Sequence, residues 1–102
     1  MIRVVVMVAA KPGLRAELLA VFQANAPTVL KEEGCIEYAA FIDAQGVGPI
    51  QTTVGSETFV VLGTWESPAA LAAHGATPHM RTYAKATRDL VANVAIHVLT
   101  AA

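Results

Sequence analysis

The chain opens on an apolar, β-branched run, IRVVVMVAA over residues 2–10, which meets the turn signal KPG at 11–13. A strand this uniformly apolar belongs where both of its faces are at least partly covered. The rest of the sequence has to supply that cover. The run could also be read as the hydrophobic stretch of a signal peptide. Its valine content, its shortness and the abrupt KPG favour an intact strand, and cleaving it would remove the first strand of the fold read below.

Residues 14–32 read as a helix. Leu14, Leu18, Val21, Phe22, Val29 and Leu30 recur at spacings of three, four and seven, which builds one apolar face. Pro27 predicts a lost backbone hydrogen bond to position 23 and a kink. Gly34 suits the left-handed position just past a helix end. A second strand, CIEYAAFID, follows at 35–43. Simple alternation puts Ile36, Tyr38, Ala40 and Ile42 on one face, and Cys35, Glu37, Ala39 and Phe41 on the other. The stretch AQGVGPIQTTVGSE, 44–57, is long for a connection. It reads either as a lid or binding element or as a plain hairpin tip.

The third strand is TFVVLGTW, 58–65. Ser67-Pro68 and Thr77-Pro78 each place a capping hydroxyl before a proline at the first helical position, so helices start at 68 and 78 with a break at Gly75. The second of these buries Met80, Tyr83, Ala84, Thr87 and Leu90 and leaves Arg81, Lys85 and Arg88 in solvent. VANVAIHVL, 91–99, is the closing strand. The order βαββαβ is that of an α+β, ferredoxin-like fold: an antiparallel sheet with helices on one face, in a single domain spanning 1–102. The opposite face of the sheet stays apolar and needs a cover.

Composition sharpens that last point. Hydrophobic residues make up 55% of the chain and charged ones 15%, against about 25% charged in an ordinary soluble domain. The surplus implies a subunit interface, an apolar ligand cavity, or both. The net charge of −1 and the lack of a basic cluster argue against nucleic acid as a partner. No apolar stretch approaches the ~20 residues that span a bilayer, so no membrane partner is expected. Cys35 is the only cysteine, which rules out an internal disulfide and fits a cytoplasmic location.

Three stretches carry a resemblance: EEGCIEY (32–38), FVVLGTWES (59–67) and ALAAHGATPHM (70–80). In order and spacing they resemble the E-P-G-C-x-x-Y, strand-then-W-x-S and A-L-x-x-H-x-x-x-x-H patterns of antibiotic biosynthesis monooxygenase domains of the small quinol-monooxygenase type. The resemblance implies a homodimeric α+β barrel with two sheets face to face, and a pocket between sheet and helices in each subunit. It implies oxidation of phenolic or quinol rings by O₂ without a cofactor, although other members isomerise phosphorylated signal molecules or degrade haem. Two features depart from the pattern. Gly63 stands where the family often has Glu, and the central loop is longer than in many members.

Chemistry narrows the candidate residues. O₂ is a triplet and reacts slowly with closed-shell molecules, so a cofactor-free oxygenase needs a substrate that becomes a good electron donor once deprotonated. The protein then supplies a base, a polar group for the oxyanion and a dry pocket. His74 is the candidate base, because it shares a helix face with Ala70 and Leu71. Its alternative role is to tie the helix end to nearby backbone. Trp65 is either a core aromatic or a pocket wall on which a ring stacks. Asn25 either binds a substrate oxygen or caps the carbonyl freed by Pro27. Tyr38 and Tyr83 are candidate hydroxyl donors to substrate, and His79 a further contact. A metal is not expected: His74 and His79 lack metal-ligand spacing and would need a third ligand such as Glu57 or Glu66. Cys35 reads as a strand thiol and His97 as structural. Two other functions stay open. One is an isomerase of a small polar metabolite, which needs Arg81 or Lys85 turned inward for a phosphate. The other is a dimeric binding or stress-related protein without turnover.

Overall fold

The computed structural model describes all residues from Met1 to Ala102. Four strands and three helices follow in the order β1 (Ile2–Ala10), α1 (Arg15–Leu30), β2 (Cys35–Phe41), β3 (Thr58–Trp65), α2 (Pro68–Gly75), α3 (Pro78–Thr87) and β4 (Val91–Leu99). The sheet order is β2-β3-β1-β4, with every neighbouring pair antiparallel. The fold is therefore the α+β, ferredoxin-like arrangement, its second helical segment split in two.

β1 is a central strand, which explains its uniform apolarity. Val4 lies opposite Gly63 of β3 on one side and Val98 of β4 on the other. Ile2, Val4, Val8 and Ala10 are buried beneath the helices. Leu18, Phe22 and Ala26 of α1 pack on Val8, Ala10, Phe59 and Val61 in one cluster. Val29 packs with Ile2, Val4 and Trp65 in a second, against which Ala70, Leu71 and Met80 rest. The far face of the sheet carries Val5, Met7, Val60 and Leu62, which stay part-exposed.

Both cap-plus-proline starts fold as their chemistry requires. The Ser67 hydroxyl accepts from the Ala70 amide at 3.1 Å, and the Thr77 hydroxyl accepts from the Met80 amide at 3.3 Å. α1 runs through Pro27, which sits on its exposed side with Gln23. The helix ends at Leu30 rather than reaching Glu32, so Glu32 belongs to the turn that follows. Gly34 completes that turn at φ +84°, and a Cβ there would lie 2.6 Å from the Ala70 Cβ.

Alternation fails at the start of β2. Cys35 pairs with Trp65 and Glu37 with Thr64, so Ile36 is the extra residue of a bulge. The bulge moves Cys35 to the helix-facing side with Tyr38 and leaves Ile36 half exposed. Strand pairing also stops at Phe41, short of Asp43. Asp43 instead ties the long loop, accepting from the Val54 and Gly55 amides at 2.9 Å each. Ala84, expected inside, is exposed on α3.

Candidate active site

A cavity of about 250 Å³ lies between the helix-facing side of the sheet and the helices, and 13 of its 16 lining residues are hydrophobic. β3 contributes Gly63 and Trp65 to its wall, β2 contributes Tyr38, α2 contributes His74 and α3 contributes Tyr83. The strand register sets Tyr38 opposite Gly63. With no side chain at Gly63, space opens beside the indole: a Cβ there would stand 3.3 Å from the Trp65 Nε1 and 3.8 Å from the Tyr38 ring.

Four of the residues singled out in the sequence thus meet in one place. Trp65 is fully buried, and its ring centre is 4.7 Å from that of His74. Tyr38 meets the same imidazole edge-on at 5.7 Å and stacks on Phe22 at 5.1 Å. Trp65 is therefore both core aromatic and cavity wall. Burial pushes the Tyr38 hydroxyl well above the ordinary tyrosine range, helped by the repulsion that ionised Tyr83, Glu32 and Cys35 would add, and burial raises Tyr83 as well. Both stay neutral hydroxyls able to donate a hydrogen bond. Burial and the Glu32 charge likewise raise the Cys35 thiol, so it is no activated nucleophile.

Two predicted contacts lie elsewhere. The Asn25 amide donates to the Met80 sulfur at 3.4 Å, so it neither lines the cavity nor caps the carbonyl freed by Pro27. The reason is the approach of α3 to α1, which places a thioether within reach. Asn25 and His79 instead border a shallow surface groove between those helices. Arg81 and Lys85 are exposed and do not turn inward.

The sequence reading missed Glu32. Its carboxylate lies 3.0 and 3.1 Å from the His74 Nδ1, and one of its oxygens lies 2.6 Å from the His79 Nε2. The carboxylate side chain is only 11% exposed. Carboxylate oxygens accept, so the His74 Nδ1 carries a proton, and in the neutral ring the lone pair then falls to Nε2. Glu32 opens the EEGCIEY stretch, but it is 42 residues from His74, and nothing in its local sequence pairs the two.

The model of the family described as "Antibiotic biosynthesis monooxygenase" matches residues 1–86. The chain belongs to this family. An Escherichia coli K12 protein named "Probable quinol monooxygenase YgiN" is 37% identical over 101 residues, covering 97% of this chain and 96% of that relative. Among solved structures, PA3566 from Pseudomonas aeruginosa superposes with a TM-score of 0.82 at 24% identity, over 99% of this chain and 93% of that one. Rv0793 from Mycobacterium tuberculosis gives 0.80, also at 24% identity, over 99% and 94%. These two likenesses speak to the fold. Within this monooxygenase family, the present chain has its apolar cavity lined by Trp65, His74 and two neutral tyrosines.

Proposed function

We propose that this chain is a cofactor-independent monooxygenase that oxidises a small quinol-like or phenolic ring with O₂. The observation that carries the reading is an imidazole with one committed nitrogen set into an otherwise apolar cavity. A dry cavity of roughly 150 Å³ holds a benzene ring, so about 250 Å³ leaves room for one substituted ring.

In the proposed reaction the ring stacks against Trp65, and one hydroxyl gives its proton to the His74 Nε2. The resulting oxyanion accepts hydrogen bonds from the Tyr38 or Tyr83 hydroxyl, or from the indole N–H. The electron-rich ring then reduces O₂. One oxygen atom enters the ring and the other leaves as water, with every electron supplied by the ring itself. The apolar walls keep bulk water from the activated ring.

The far sheet face, with Val5, Met7, Val60 and Leu62, is the surface by which we infer that a second copy packs to form a dimeric barrel. No helix is long and apolar enough to cross a membrane. The lone Cys35 suits the cytoplasm. The deciding experiment follows O₂ uptake with a panel of hydroquinones. Uptake above the uncatalysed rate is expected, and His74→Ala should lower it by about 10²–10⁴-fold. Wild-type uptake equal to the uncatalysed rate across the panel would overturn the reading.

A further inference from the structure

Glu32 is shared. Its carboxylate takes the His74 Nδ1–H on one side, and its Oε2 meets the His79 Nε2 at 2.6 Å on the other. The protonation of His79 follows from its other neighbour. The Thr77 hydroxyl donates to the His74 carbonyl at 2.9 Å, so its oxygen is left to accept. The Met80 amide donates to that oxygen at 3.3 Å, and the His79 Nε2 stands 3.2 Å from it. Both polar neighbours of the His79 Nε2 are therefore acceptors, and that nitrogen must carry a proton.

We propose that Glu32 is the positioning residue of His74 and that His79 is the anchor that holds Glu32 in place. Three segments meet here: the turn after α1, the end of α2 and the start of α3. Together they fix which His74 nitrogen is basic and how its ring stands against Trp65. Without Glu32, either nitrogen of His74 can carry the proton, and part of the population turns an N–H rather than a lone pair toward the substrate hydroxyl. Without His79, the Glu32 side chain loses its second tether, and the ring it orients loosens. Glu32 does not itself line the cavity; its hydrogen bonds reach the cavity wall only through His74. His79 likewise stays outside the cavity.

The inference rests on the oxygenase reading for its consequence, but its core is testable without turnover. The ¹⁵N shifts of the His74 ring nitrogens in the labelled protein, at a pH where imidazoles are neutral, report the tautomer directly. The wild type should show a protonated Nδ1 and an unprotonated Nε2. Glu32→Ala should yield a mixture of tautomers, and kcat for hydroquinone oxidation should fall by about 10–100-fold with KM little changed. Added formate should restore part of that loss. His79→Ala should give a smaller loss in kcat, again with KM little changed. Should Glu32→Ala fail to fold, Glu32→Gln keeps the shape and one acceptor. It should shift the His74 Nδ1–H proton resonance upfield and lower kcat by about 10-fold. A wild-type His74 protonated at Nε2, or a His74 signature and kcat indifferent to both Glu32 variants, would overturn the inference. No O₂ uptake in the wild type alongside a Glu32-dependent tautomer would sink the oxygenase reading and leave the positioning role standing.

Discussion

The indole of Trp65 and the imidazole of His74 lie 4.7 Å apart, centre to centre, tilted by 39°. One ring closes the core and the other is the base of the proposed reaction, so that reading makes packing and chemistry share a contact. Trp65→Ala should destabilise the fold by about 3–5 kcal/mol, the usual cost of deleting a large buried aromatic. Urea unfolding measures it. Trp65→Phe should recover most of that loss but still lower turnover, because phenyl has no N–H to offer an oxyanion.

Gly34 is held by two constraints at once. Its φ of +84° disfavours a side chain, and a Cβ would meet the Ala70 Cβ at 2.6 Å. Gly34→Ala should cost at least about 2 kcal/mol from strain and overlap combined. Adding Ala70→Gly should relieve the overlap and leave the strain. A double-mutant cycle in denaturant should then show favourable coupling between the two sites.

What the sequence made legible is local, and what it hid is long-range. Ser67-Pro68 and Thr77-Pro78 carry their own helix starts, because a cap bond spans only three residues. The apolar run of β1 signalled a covered strand, and the order of elements then fixed the topology. The bulge at Ile36 was not readable, because a single extra residue inverts alternation without any compositional mark. Glu32 illustrates the same limit. Helix periodicity placed it at the last position of the helix, whereas it lies two residues past Leu30, and its partners are 42 and 47 positions away. The contact of Asn25 with Met80 spans 55 positions and depends on how α3 settles on α1. His74 and Trp65 were legible because each sits on an element whose inward face could be counted.

Gly63 leaves open the space beside the indole where the proposed substrate ring would stack. Gly63→Ala brings a methyl within 3.3 Å of the Trp65 Nε1, a tight but tolerable contact that should weaken hydroquinone binding modestly. Gly63→Leu fills the niche and should abolish binding while the protein stays folded. Trp65 is the only tryptophan, so its fluorescence on titration with hydroquinone reads both variants.

The partly buried tyrosines set an alkaline limit on stability. Burial raises the values of Tyr38 and Tyr83 in the folded chain, whereas in the unfolded chain they ionise near about 10. The folded state thus holds protons that the unfolded state gives up. Stability is fully present below about pH 10 and is lost as pH rises from there through the raised folded values. Denaturant unfolding across that range should show the decline, and Tyr38→Phe should flatten it. Tyrosinate absorbance of the native protein should lag behind that of the unfolded chain.

Arg81 and Lys85 separate the oxygenase from a phosphate-handling isomerase on the same fold. A phosphate held in the cavity would need a cation beside it, and the wall is apolar apart from His74, two tyrosines and Thr87. Both basic side chains point to solvent on α3. Replacing them together by glutamine should therefore leave kcat and KM for hydroquinone oxidation unchanged. Small sugar phosphates should not quench or shift Trp65 fluorescence at concentrations that saturate a quinol. A loss of activity in the double variant, or tight phosphate binding that the variant removes, would show that these helices rearrange to bring a cation into the cavity, and would move the function to the other class.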